Sequence, residues 1–121
     1  MTDPRHTLGR LGEQLALEHL ERLGYRLVAA NHRTRFGEID LIVHRGGTLV
    51  FVEVKSRRGT GGRPWDGLHE RKRAQVRRMA TAWLCEADDR PRARDVRFDA
   101  IGVTFGPDGT LGALEHLEGA F

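Results

Sequence analysis

Lysine is nearly missing from this chain: of its 20 basic side chains only Lys55 and Lys72 are lysine, and the other 18 are arginine. A chain that uses arginine wherever any positive charge will serve singles out its two lysines for work that a wide, permanently charged guanidinium cannot do, such as sitting beside a scissile phosphate or orienting a water; chance is the alternative for two residues. Cysteine is as scarce. The single Cys85 excludes an internal disulfide and a cysteine-ligated zinc, and near the end of an expected helix it reads as a packing residue. No apolar run approaches the roughly 20 residues of a membrane span. The opening Met1-Thr2-Asp3-Pro4-Arg5-His6 lacks the apolar stretch of a secretory signal, so a cytoplasmic protein with no membrane partner is expected. Repeats, a heptad seam and low-complexity segments are also lacking. With 121 residues, 39% hydrophobic and 31% charged, the chain is expected to form one domain, residues 1–121, around a single core.

What is present is most informative between Gly37 and Lys55. Residues 38–44 and 49–55 are rich in Ile, Leu, Val and Phe, and Gly46-Gly47 between them is a favoured centre for a two-residue hairpin turn. A turn centred there pairs residues whose numbers sum to 93, which sets Asp40 opposite Glu53 and Glu38 opposite Lys55. Opposed residues share a face with Cβ atoms roughly 4.5 to 5.5 Å apart. Two carboxylates that close on an apolar sheet repel each other until a proton, a cation or solvent relieves them. A magnesium or manganese ion, which takes oxygen ligands, meets that need. The competing reading is a solvated sheet face with cross-strand salt bridges, Glu38 to Lys55 among them.

Charge is unevenly spread. The net charge is +3, yet residues 57–78 carry eight basic groups, Arg57, Arg58, Arg71 and Lys72 among them, against Asp66 and Glu70. A basic block directly after the acidic pair is what a phosphate backbone requires for positioning, whereas a solvated arginine-rich helix face is the plainer explanation.

Helical periodicity runs over residues 7–23, with Leu8, Leu11 and Leu15 on one stripe, Ala16, Leu20 and Leu23 on a neighbouring one, and Gly24 as a stop. Glu13 projects between Leu17 and Leu20, so this carboxylate faces the protein and needs a partner: a metal, a metal-bound water, an arginine or a backbone amide. Gly9, Gly12 and Ala16 form a small-residue flank that allows close approach to a sheet. A strand is expected over 25–34, a glycine-rich loop over 56–67 with Trp65 as a base-stacking or core-capping aromatic, and a helix over 68–87. That helix turns Val76, Met79, Ala80, Trp83 and Leu84 inward and leans Lys72 toward the sheet. A strand over 96–105 places Asp99 beside Ile101 and Val103, and a turn at 106–109 precedes a last short strand or helix. The order αβββαβ, with a crossover through the second helix, predicts an α/β fold with a mixed sheet flanked by helices.

Asp40 followed by Glu53-Val54-Lys55 resembles the signature of the PD-(D/E)XK nuclease superfamily, which includes restriction endonucleases and archaeal Holliday-junction resolvases. The resemblance is closest to the YraN family of small bacterial proteins within it. It rests on Gly12-Glu13 with Ala16, Gly24-Tyr25, Asn31 with Arg33, Gly37-Glu38-Ile39-Asp40-Leu41-Ile42, Phe51-Val52-Glu53-Val54-Lys55 with Arg57, Lys72 before Trp83-Leu84, and Arg97-Phe98-Asp99. Ile39 stands where the signature has proline. The resemblance implies a restriction-endonuclease-like fold and metal-dependent hydrolysis of phosphodiester bonds in nucleic acid, DNA first and branched forms included. It assigns Asp40 and Glu53 as ligands of Mg2+ or Mn2+, the Val54 carbonyl as a further ligand, Lys55 as the group beside the attacking water, and Glu13 as an accessory carboxylate. Lys72 and Gln75, with Arg57, Arg58 and Arg71, would meet the nucleic-acid backbone. A non-catalytic nucleic-acid-binding or adaptor module that keeps the fold is the alternative. A homodimer and a DNA-processing protein partner are both compatible with the sequence, which identifies no dimer surface.

Overall fold

Turn chemistry sets the first half of the sheet. Gly46 and Gly47 both take positive φ, 53° and 87°, the mirror-image turn whose twist suits a hairpin. The strands on either side pair from Arg45↔Thr48 to Leu41↔Val52, the register expected from a turn centred on the two glycines. The computed structural model describes residues 4–59 and 70–121, apart from the side chains of residues 4–6, and comprises α1 (Pro4–Arg22), β1 (Arg26–Thr34), β2 (Gly37–Arg45), β3 (Thr48–Arg58), α2 (Glu70–Glu86), β4 (Asp95–Phe105) and β5 (Leu111–Leu117). Trp65 and most of the expected glycine-rich loop lie outside the described residues.

The strands lie in the order β1-β2-β3-β4-β5. Neighbours are antiparallel except β3 and β4, which run parallel from Thr48↔Asp95 to Arg58↔Phe105 and are connected by way of α2. The sheet is therefore mixed, and the element order is αβββαββ, the C-terminal element being a strand on β4. This α/β arrangement is consistent with a restriction-endonuclease-like fold. None of the helices in the described residues is long and apolar enough to cross a membrane.

Alternation along the central strands divides the core in two. Leu41, Val43, Val50, Val52, Ile101 and Val103 face α1, meeting Ala16 and Leu20. Ile42, Leu49 and Phe51 face α2, meeting Val76, Met79, Ala80 and Trp83. The inward stripe expected for the second helix is the one observed. For α1 the stripe is narrower than its leucines suggest, since Leu11 and Leu23 are 39% and 41% exposed. Cys85 is exposed and does not pack.

The narrow stripe follows from how closely α1 approaches the sheet. A Cβ at Gly12 would overlap the Ser56 Oγ and lie 3.1 Å from its Cβ. Gly12→Val should therefore lower stability by about 2 kcal/mol in urea denaturation, and Ser56→Gly in the same chain should recover most of the loss. Strictly additive losses would show that the two sites do not touch.

A buried ionic network closes the other end of α1. Asp99, with 0% exposure, accepts from Arg97 Nε at 2.8 Å and Nη2 at 2.9 Å, from His116 Nε2 at 2.7 Å and from the Gly119 amide at 3.1 Å. Arg97 Nη2 also donates to the Tyr25 hydroxyl at 2.6 Å, and His19 Nε2 lies 3.1 Å from His116 Nδ1. His116 thus bridges the carboxylate through Nε2 and His19 through Nδ1, the tautomers deciding which of the two rings donates in the second contact. Burial, then His116 and Arg22, pull the His19 pKa below its ordinary value. This network fastens α1, the residue that precedes β1, β5 and the segment after β5 to β4.

Candidate metal centre

The site begins as a fault in the alternation of β2. Strict alternation would put Ile39 and Leu41 on one face, yet Ile39 packs with the α2 cluster and Leu41 with the α1 cluster. Opposite the fault, Asn31 of β1 adopts φ 50°, a left-handed conformation that Asn tolerates better than most residues. On the other side of β2, the Asp40 carboxylate accepts the Val54 amide at 2.8 Å, just beyond the last ladder pair, Leu41↔Val52. A side-chain oxygen here takes the place of a backbone carbonyl.

The fault brings carboxylates together. Oxygens of Asp40, Glu38 and α1's Glu13 all lie within 4.8 Å of one another. Asn31 Nδ2 bridges two of them, donating to Glu13 Oε2 at 2.9 Å and Glu38 Oε1 at 3.1 Å. Burial and then the neighbouring Glu53 push the Asp40 carboxyl up to about 8; the Val54 N–H opposes this, Glu13 adds to it and Lys72 subtracts. The centre is thus an exposed Glu38 and two half-buried acids crowded together, with Asp40 held well above its ordinary pKa. An all-oxygen set of this kind suits a hard divalent cation such as Mg2+ or Mn2+ and is a poor match for a thiolate- or imidazole-seeking metal.

Glu53 sits on the other side of Asp40, 8% exposed, with an ion pair of 2.9 Å to Lys72 of α2. It is close enough to shift Asp40 but is not one of the three clustered acids. Lys72 leans toward the sheet as expected and there neutralises Glu53. Lys55 is exposed two residues further along the same strand. The Glu38–Lys55 salt bridge of the competing reading does not form among the described residues: once the ladder yields to the Asp40 side chain, Glu38 turns to Asn31 and to Arg33 at 3.7 Å.

The remaining predicted residues are spread wider. Gln75 Nε2 donates to the Phe36 carbonyl at 2.7 Å, tying α2 to the β1–β2 turn. Arg71 is exposed in the first turn of α2, and Arg57 is half-buried near the end of β3. Arg58 reaches the β4–β5 turn, where a Cβ on Gly109 would lie 3.3 Å from its guanidinium. That is about 13 Å along β3 from Val54, so Arg58 is not beside the acids. Asn31 is the cluster residue that sequence reasoning counted in the family resemblance but gave no role in the site. Its signal is an asparagine inside an otherwise ordinary strand pattern, where a left-handed residue and a short amide are both useful.

An α/β protein with an acidic centre at an opened hairpin is the class that fold and site define. The chain belongs to the uncharacterised protein family UPF0102, whose model matches residues 12–103. It is 41% identical over 122 residues to a UPF0102 protein of Pelotomaculum thermopropionicum, covering all of both chains. It is 45% identical to one of Herpetosiphon aurantiacus over 107 residues, 86% of each chain. A third, from Symbiobacterium thermophilum, is 46% identical over 105 residues, 86% of this chain and 87% of its own.

Proposed function

We propose that this protein is a metal-dependent endonuclease of the PD-(D/E)XK superfamily, acting on nucleic acid, with DNA, branched forms included, as the first expectation. The observation that supports this most is Asp40 itself: a half-buried carboxyl held above its ordinary pKa, within 4.8 Å of Glu13 and Glu38 and electrostatically coupled to Glu53. A structural carboxylate would be paired with a cation; this one is surrounded by acids. Asp40 and Glu13 would hold Mg2+ or Mn2+, with Glu38 of the same cluster, Glu53 and the Val54 carbonyl as further candidate ligands. The chemistry such an ion supplies is activation of a water and neutralisation of charge at the scissile phosphate. The protein's own part is to orient these acids: the Val54 amide fixes Asp40, Asn31 spaces Glu13 from Glu38, and Lys72 holds Glu53. Lys55, exposed on the strand of Glu53, supplies a compact positive charge to an incoming phosphate.

The Lys72–Glu53 ion pair favours one second reading. An acid already satisfied by a lysine is also what a non-catalytic nucleic-acid-binding module would keep. A magnesium and manganese screen on labelled linear, flapped and four-way DNA and RNA separates the two. Cleavage by wild type and none by Asp40→Ala is expected; equal cleavage by both, or none by wild type on any substrate while binding persists, would reject the nuclease. Lys55→Arg, which keeps the charge but not the compact ammonium, should lose at least tenfold in cleavage rate, and full activity would show that any cation suffices at that position.

A further inference from the structure

Beside α2, on the same side of the sheet as Glu53, lies a groove of about 510 Å³ lined by Arg35, Phe36, Arg77, Arg78, Ala82 and Cys85, among others. Its floor is mostly apolar and its charged lining is three arginines against Glu86 alone. Arg35 and Phe36 form the two-residue turn between β1 and β2, closed by the Thr34↔Gly37 pair. The guanidinium of Arg35 lies 4.9 Å from the centre of the Phe36 ring. The turn is held from three directions. Thr34 Oγ1 donates to the Gly37 carbonyl at 2.9 Å and accepts the Phe36 amide at 3.0 Å, and Gln75 donates to the Phe36 carbonyl at 2.7 Å. Gly37, with φ 136°, leaves room for Gln75 and Met79, whose nearest atoms would be 2.7 and 3.1 Å from a Cβ there. Phe36 is half-buried against the α2 cluster and lines the groove, so the part of its ring left uncovered and the Arg35 guanidinium form a preformed surface on which a base can stack.

We infer that this groove binds a single-stranded segment of nucleic acid, a base stacking on Phe36 while Arg35 and Arg78 meet phosphates. This rests on the nuclease reading and adds the form of the substrate. Base faces are open in a single strand and covered in a duplex, so an aromatic platform selects the former. The charge pattern suits a polyanion, with two arginines on the helix and one on the turn. The groove is also well placed: Arg78 follows Lys72, the partner of Glu53, by six residues on α2, about 9 Å of helix rise, within a few nucleotides along a strand.

The test is fluorescence anisotropy in EDTA at fixed salt, with a labelled oligothymidylate and a blunt duplex hairpin as probes. EDTA removes metal and cleavage from the measurement. Phe36→Leu keeps an apolar side chain under α2 and removes the stacking ring; it should weaken single-strand binding about tenfold and duplex binding less than twofold. Arg35→Glu with Arg78→Glu should weaken single-strand binding by more than tenfold and flatten its salt dependence. Phe36→Trp should restore binding, with indole fluorescence quenched on addition of the oligothymidylate. Binding of the single strand unchanged in Phe36→Leu, or lost equally for strand and duplex, overturns the groove and leaves the metal centre untouched. Wild type that binds neither probe contradicts the nuclease reading and the groove together.

Discussion

Asp40→Asn should make the metal-free protein more stable and catalytically dead at the same time. The sign follows from where the proton sits. In the unfolded chain Asp40 ionises near its ordinary value, about 4, whereas in the folded protein burial and Glu53 hold it to about 8. Between those values the folded state binds the extra proton, so stability falls as pH rises from about 4 to about 8. An amide has no charge to suppress and its oxygen can still accept the Val54 N–H. The variant should therefore match wild type near pH 4 and exceed it by about 2 kcal/mol at pH 8. Cleavage, with one cation ligand lost, should fall by about 10³-fold. Added Mn2+ should then raise the melting temperature of wild type and not that of the variant, since only a ligand bound by the folded state stabilises it. A variant less stable than wild type at pH 8 without metal would mean that Asp40 is an ordinary structural carboxylate.

Asp99→Asn should have the opposite effect and destabilise the fold by about 3 kcal/mol in urea. All four contacts of Asp99 come from donors: two from Arg97, one from His116 and one from the Gly119 amide. An asparagine has one acceptor oxygen, so its amide nitrogen would meet donors, and Arg97 would lose its buried counter-charge. Burial alone would raise the Asp99 carboxyl, but the hydrogen bonds from His116, Arg97 and Gly119 outweigh it and bring it down to about 2; the same partnership raises Arg97. A folded-state pKa below the unfolded one stabilises above about pH 4 and is lost as pH falls from about 4 to about 2. Wild type should show that acid limb and Asp99→Asn should largely lack it. In a double-mutant cycle, Arg97→Ala should cost much less in the Asp99→Asn background than in wild type. Full additivity would mean the network is not acting as a unit.

These two aspartates also show how far the sequence could be read. The hairpin was legible because its register depends on local information: two adjacent glycines fix the turn, and alternating apolar residues fix the faces. The inward stripe of α2 was legible for the same reason, as was the side of the sheet on which Asp99 lies with Ile101 and Val103. The slip at Asp40 was not, because it joins a left-handed Asn31 on the neighbouring strand to a carboxylate that displaces a ladder bond, and strand periodicity assumes neither. The partner of Lys72 was not legible either, since it depends on how far α2 advances over the sheet before Val76 and Met79 seat. Leu11 reads as core and is exposed because Gly12 and Ala16 bring α1 so near the strands that only a narrow line of side chains is covered, and Leu23 is exposed in the turn just past the end of the helix. The donors of Asp99 come from its own strand and from β5 and the segment after it, a long-range pairing that no local pattern encodes.

Calorimetric titration of the metal-free protein with Mn2+ at pH 7, in two buffers of different ionisation enthalpy, tests the metal centre most directly. Wild type should bind saturably and release about one proton per ion, because Asp40 must give up its proton to become a ligand. Asp40→Asn should show no saturable heat. Binding without proton release, or equal binding by the two proteins, would contradict a metal site built on Asp40.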